Sequence, residues 1–181
     1  EGTDFECPMR PFGGVEQLAW NPNNDEIAYT CRKKTGRDYA VSTNSDIYLY
    51  NVRTRTHANI TEPNAGYDIN PAYSPDGSKL AWLSMEHDGY ESDENRLFVL
   101  DLQSGEKTFL TCNLDESVDD FAWLNNETLV FSSCHHGLIN LYRIDLNGDI
   151  TQLTEGQFDH VLGDICDGDV YLLRHSMLQP N

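Results

Sequence analysis

Positive charge is scarce in this sequence. Its 181 residues hold 12 Lys and Arg against 30 Asp and Glu, a formal net charge of −18. Nucleic acid is disfavoured as a partner, because phosphate backbones select basic surfaces. The same repulsion works against anionic membrane surfaces. Long apolar runs are missing too: none approaches the roughly 20 residues of a membrane-spanning helix. The opening stretch "EGTDFECPMRPFGG" lacks a starting Met, a basic n-region and an apolar h-region. No signal peptide is expected there, and the chain reads as a mature or excised piece.

Paired metal-type cysteines are absent. Cys7, Cys31, Cys112, Cys134 and Cys166 are scattered, with no C-x-x-C among them. An odd, widely spaced set argues against a zinc site or a disulfide framework, so the thiols are expected to be structural or incidental. The six histidines share no strand position, and the adjacent pair His135-His136 would point to opposite sides of a strand. No metal and no cofactor is expected. Helical periodicity is nowhere sustained, which excludes a helical solenoid.

What the sequence does contain is a repeat. "LAWNPNNDEIAYT", "PAYSPDGSKLAWLS" and "FAWLNNETLVFSS" align on Trp20, Tyr73 and Trp123. Each reads as strand, polar turn, strand. In "SPDG", Pro75 pre-sets φ for a turn while Asp76 and Gly77 tolerate the left-handed conformation. A third alternating run follows each hairpin: "DIYLYNV", "RLFVLDL", "NLYRIDL". A fourth run ends at Thr61, Thr111 and Thr154. Asn147-Gly148 gives the strongest short hairpin signal between third and fourth runs.

Four short strands recurring at this spacing predict β-propeller blades. The fold class is all-β, a partial propeller of about three and a half four-stranded antiparallel blades, as one domain over 1–181. The blades fall at about 13–63, 64–113 and 114–156, with a partial one over 157–181. An open set of blades exposes strand edges, so self-association is expected.

From Tyr67 to Thr111 the chain reads "YDINPAYSPDGSKLAWLSMEHDGYESDENRLFVLDLQSGEKTFLT". This resembles the propeller repeats of prolyl oligopeptidase-type serine peptidases, most of all their bacterial dipeptidyl-peptidase and acylaminoacyl-peptidase relatives. The stretch "SMEHDGYESDENRL" is its more specific part. The resemblance implies a C-terminal α/β-hydrolase domain carrying a Ser-Asp-His triad, with the serine in a G-x-S-x-G elbow. No such elbow occurs in this chain, and no catalytic residue is assigned to it. The implied role is non-catalytic: gating access and positioning a peptide's N-terminus. A periplasmic or secreted location follows from the resemblance alone. A TolB-type interaction propeller with no peptidase attached is the alternative.

Two connections between second and third strands are long, and both belong on one face of the disc. The first carries Arg32, Lys33, Lys34 and Arg37; the second carries Glu86, Asp88, Glu91, Asp93 and Glu94. An inter-blade ion-pair network is one expectation for them. The resemblance implies another, since dipeptidyl-peptidases of this clan hold the substrate's ammonium with propeller carboxylates. Glu86 and Glu91 are the candidate carboxylates, and Tyr90 is the candidate for substrate contact.

Overall fold

The computed structural model describes residues 5–10 and 13–178. Pro11, Phe12 and residues 179–181, part of the stretches read above, lie outside these. The first sheet comprises β1 (Leu18–Trp20), β2 (Glu26–Cys31), β3 (Asp46–Asn51) and β4 (Thr56–Asn59). The second comprises β5 (Asp68–Tyr73), β6 (Lys79–Ser84), β7 (Arg96–Asp101) and β8 (Lys107–Phe109). The third comprises β9 (Val118–Asn125), β10 (Thr128–His135), β11 (Leu138–Asp145) and β12 (Ile150–Gln152). A hairpin of β13 (Asp159–Cys166) and β14 (Asp169–His175) completes the described strands. Every sheet is an antiparallel meander in chain order. The architecture is that of propeller blades.

The apolar alternation decides where the core sits. Successive strand residues point to opposite faces. On β6, Leu80 and Trp82 join Ala28 and Ile47 of the first blade. Ala81 and Leu83 turn the other way and pack with Phe121, Leu129 and Phe131 of the third. On β10, Val130 points away from that cluster and meets Leu162 of the hairpin. The core therefore lies between blades, one layer per blade junction. Trp123 occupies such a junction, 8% exposed, and its indole N–H donates to the Ala72 carbonyl at 3.0 Å. Trp20, its counterpart in the first blade, is 56% exposed.

The repeated threonines have a shared task. Oγ1 of Thr61, Thr111 and Thr154 accepts the backbone N–H of Ile47, Leu97 and Leu141 at 3.0, 3.1 and 2.9 Å. Each hydroxyl satisfies a third-strand N–H where the short fourth strand ends.

The turns hold two results beyond the sequence reading. In the "SPDG" turn, Gly77 N–H donates to the Ser74 carbonyl at 2.8 Å, and Gly77 takes φ 71°. Ser74 and Ser78 donate to the Asp76 carboxylate, drawing its pKa down to about 2. The same turn ties three blades together: Asn21 Nδ2 donates to the Gly77 carbonyl at 3.2 Å, and Asp76 N–H donates to Asn126 Oδ1 at 3.0 Å. At Asn147-Gly148 only the glycine is left-handed, at φ 85°, with Gly148 N–H bonded to the Asp145 carbonyl. That is the longer glycine-bulge connection, not a two-residue one. Among the described residues, the tight turns with both central residues left-handed are His136-Gly137 and Asp167-Gly168.

Candidate functional site

Both long connections lie between second and third strands. The first, 32–45, folds a six-residue helix, α1 (Gly36–Val41), too short for the sequence to show a helical period. The second spans 85–95. They meet, but not through ion pairs. Asp88 accepts hydrogen bonds from Ser42 Oγ at 2.7 Å and from the N–H groups of Thr43 and Asn44 at 2.8 and 3.2 Å. Thr43 Oγ1 accepts the Gly89 N–H at 2.8 Å. Partial burial opposes ionisation of Asp88, yet these bonds and the charge of Lys34 hold its carboxyl below the usual range. Among the described residues no base of 32–37 ion-pairs with an acid of 86–94. Lys33 instead stacks over the Tyr48 ring at 3.6 Å. Backbone N–H groups, which a charge count does not register, took the role expected of the bases.

The second connection is organised by its own acids. Asp93 Oδ2 accepts the N–H groups of Glu86 and His87 and lies 2.9 Å from His87 Nδ1. Desolvation opposes the charge, but those bonds win and lower the Asp93 pKa to about 2. Glu86 is paired with Arg96 at 2.9 Å. Tyr90 is 57% exposed and meets His87 edge-on, ring centroids 6.3 Å apart.

Beside these loops lies a cavity of about 500 Å³. Its wall includes Arg10, Glu16, Arg32, Tyr67, Asn70 and Glu91. Of the sequence candidates, Glu91 is on this wall, whereas Glu86 and Tyr90 are not. Asn70 sits at φ 56° in a β-bulge of β5, where the register slips between Ile69 and Ala72. Bulges re-aim side chains in this way. Burial pushes the Tyr67 hydroxyl pKa up, and the charge of Glu91 adds to it. The Arg32 guanidinium lies 5.1 Å from the Tyr39 ring centroid and donates to the Thr43 carbonyl at 3.5 Å. Its Nε is buried with no hydrogen-bond partner. Tyr39 donates to Glu6 at 2.6 Å, a bond that lowers the Glu6 pKa, with help from the charges of Arg10 and Arg32. One site thus holds two carboxylates and two guanidinium groups. Glu16 gave no sequence signal, because it lies outside both long loops.

The chain is 45% identical over 184 residues to "Dipeptidyl-peptidase 5" of Porphyromonas gingivalis, an alignment covering 100% of this chain and 27% of that protein. A Mycobacterium tuberculosis puromycin-hydrolyzing peptidase superposes with a TM-score of 0.66 at 17% identity, over 90% of this chain and 29% of that one. Over its whole length the chain is thus similar to one part of a dipeptidyl-peptidase, and it shares its fold with the matching part of the puromycin-hydrolyzing peptidase. TolB from Acinetobacter baumannii shares the fold at a TM-score of 0.55 and 19% identity, over 90% of this chain and 41% of that one. No family profile matches the chain. The chain spans about a quarter of the length of the curated relative it matches.

Proposed function

We propose that this propeller is the non-catalytic part of a dipeptidyl-peptidase-like serine exopeptidase. It gates access and fixes the peptide's N-terminus for a hydrolase domain elsewhere in the protein. One observation carries the reading: Glu16 and Glu91 share a cavity wall with Arg10 and Arg32 on the face of the long loops. A free amino terminus is an ammonium ion, and charge-assisted hydrogen bonds to fixed carboxylates suit it. The guanidinium groups suit the peptide carbonyls that follow. Fixing those groups sets which bond reaches the nucleophile. Glu86, already paired with Arg96, and Tyr90, outside the wall, contribute as neighbours of the loop and not as first contacts.

The test is binding of a short peptide to the chain, with its N-terminus free or acetylated. The free peptide should bind at least tenfold more tightly, and Glu91→Gln should erase the difference. Equal binding of both peptides would sink the reading. Extending the coding sequence downstream provides an independent check. A G-x-S-x-G elbow supports the peptidase, and its absence favours the TolB-type alternative. An exported location is proposed with the same function. So is self-association through the apolar side chains of Leu18, Trp20, Tyr171 and Leu173, all exposed here. Light scattering decides the latter.

A further inference from the structure

The segment before the first sheet runs alongside the end of β2. Arg32 N–H donates to the Glu6 carbonyl at 3.3 Å, and the two residues form an antiparallel bridge. Carried one residue further, that register places Cys7 opposite Cys31. Because Arg32 N–H donates to the carbonyl of the residue facing it, that next position is a non-hydrogen-bonded one. Cα atoms in such pairs approach to about 4.5 Å. A disulfide needs roughly 4.4–6.8 Å. Residues facing each other across a ladder also project from the same side of the sheet.

The electrostatics agree with that placement. Burial raises the Cys31 thiol pKa to about 11, and the neighbouring Cys7 adds to the rise. Tyr29, two residues back on β2, feels both sulfurs. The thiols are unlinked in this structure, with Cys7 exposed and Cys31 buried at 3%. We propose that Cys7 and Cys31 form a reversible disulfide that staples the 5–10 segment to the first blade. That segment supplies Met9 and Arg10 to the cavity wall. The pairing stands on the register alone; only its consequence for peptide binding rests on the function proposed above.

The chemistry is thiol–disulfide exchange with a small-molecule disulfide. Exposed Cys7, as the thiolate, attacks one sulfur of that disulfide. A bond to Cys7 forms, the small S–S bond breaks, and one small thiolate leaves. The Cys31 thiolate then attacks the Cys7 sulfur, forming Cys7–Cys31 and expelling the second small thiolate. Two protein thiols give up two electrons and two protons, and the small disulfide takes them up as two thiols. Because partial desolvation raises the Cys7 thiol pKa and burial raises that of Cys31, exchange should quicken as pH rises.

The experiment incubates the full chain with oxidised glutathione, alkylates it, and digests it without reduction for mass spectrometry. The expected product is a Cys7–Cys31 linked peptide, lighter by two hydrogens and reopened by dithiothreitol. Cys112, Cys134 and Cys166 should each be recovered without a partner cysteine. The linked form should also resist limited proteolysis within 5–10 where the reduced form is cut. Cys7→Ser, at an exposed position, should fold normally and lose both effects. Three outcomes would overturn the proposal: both thiols alkylated, Cys7 left as a lasting glutathione adduct, or Cys7 joined to another cysteine.

Discussion

The second blade and the closing hairpin share one strand grammar and have opposite fates. In β6, "KLAWLS", every residue after Lys79 is buried. In β14, "DVYLLRH", none is buried. Leu83 is 1% exposed and Leu173 is 57% exposed. The alternation cannot explain this, because both strands offer apolar side chains to both faces. The neighbours explain it. The second blade lies between two others, so its even and odd positions enter separate clusters. The hairpin meets the third blade through Leu162, Ile165 and Val170 and leaves its other side open. Burial in this fold belongs to the junction between blades more than to any blade's own sequence.

Truncating the two strands alike tests this most strongly. Leu83→Ala should cost about 3–5 kcal/mol, a transfer loss plus an unfilled cavity. In dilute, dissociated protein Leu173→Ala should stay within about 0.5 kcal/mol, as exposed substitutions do. Urea denaturation of each variant measures both. At protein concentrations where the chain self-associates as proposed, the loss at Leu173 should grow while the loss at Leu83 stays the same; a Leu173 loss independent of concentration would remove the hairpin from the association surface.

A second contrast concerns charge. The second blade buries a carboxylate at a junction: Asp68, 1% exposed, accepts the Trp82 indole N–H at 3.0 Å and an Asn64 amide N–H at 3.1 Å. Burial raises its pKa to about 6, although those donors pull the other way. A carboxyl raised above its unfolded value near 4 holds its proton longer in the folded state. Its contribution is fully present below about pH 4 and is lost as pH rises through about 6. The loss amounts to about 3 kcal/mol at most. Asp68→Asn should flatten that slope in a comparison of chemical denaturation from pH 4 to 7. Asp76 and Asp93, both lowered to about 2, titrate below the window. An unchanged slope in the variant would place the titration elsewhere.

Legibility in the sequence follows the same division. Strands, turns and blade period could be read because each is set by residues close in the chain. Thr61, Thr111 and Thr154 were visible as a recurrence, though their shared backbone partner was not. The cavity was largely illegible. Glu91 stood out together with Glu86 in an acidic loop, but nothing local separated the two. Only three-dimensional placement distinguishes Asp88, bonded to backbone, and Glu86, paired with Arg96, from Glu91 on the wall. Glu16 and Asn70 come from the first blade's approach and a bulge in β5, and converge through packing that no local pattern encodes.

The innermost turns give the smallest and cleanest contrast. Gly77 and Gly168 each follow an aspartate in the turn between the first two strands of their unit, at φ 71° and 84°. Alanine pays a similar penalty at both for a left-handed backbone, about 1–2 kcal/mol. The surroundings differ. A Cβ on Gly77 would sit 2.6 Å from Asn21 Oδ1, whereas one on Gly168 would meet nothing within 4 Å. Asn21 is buried and bridges blades, accepting the Asn23 N–H at 2.8 Å and donating to the Gly77 carbonyl. Displacing it should make Gly77→Ala worse than Gly168→Ala by about 1 kcal/mol, the net worth of a hydrogen bond. Adding Asn21→Ala separates cause from coincidence. If the blade junction is what penalises Gly77→Ala, the excess should shrink once Asn21 is already truncated. An excess that persists would locate the strain within the turn itself, and the two glycines would then differ for a reason unrelated to their neighbours.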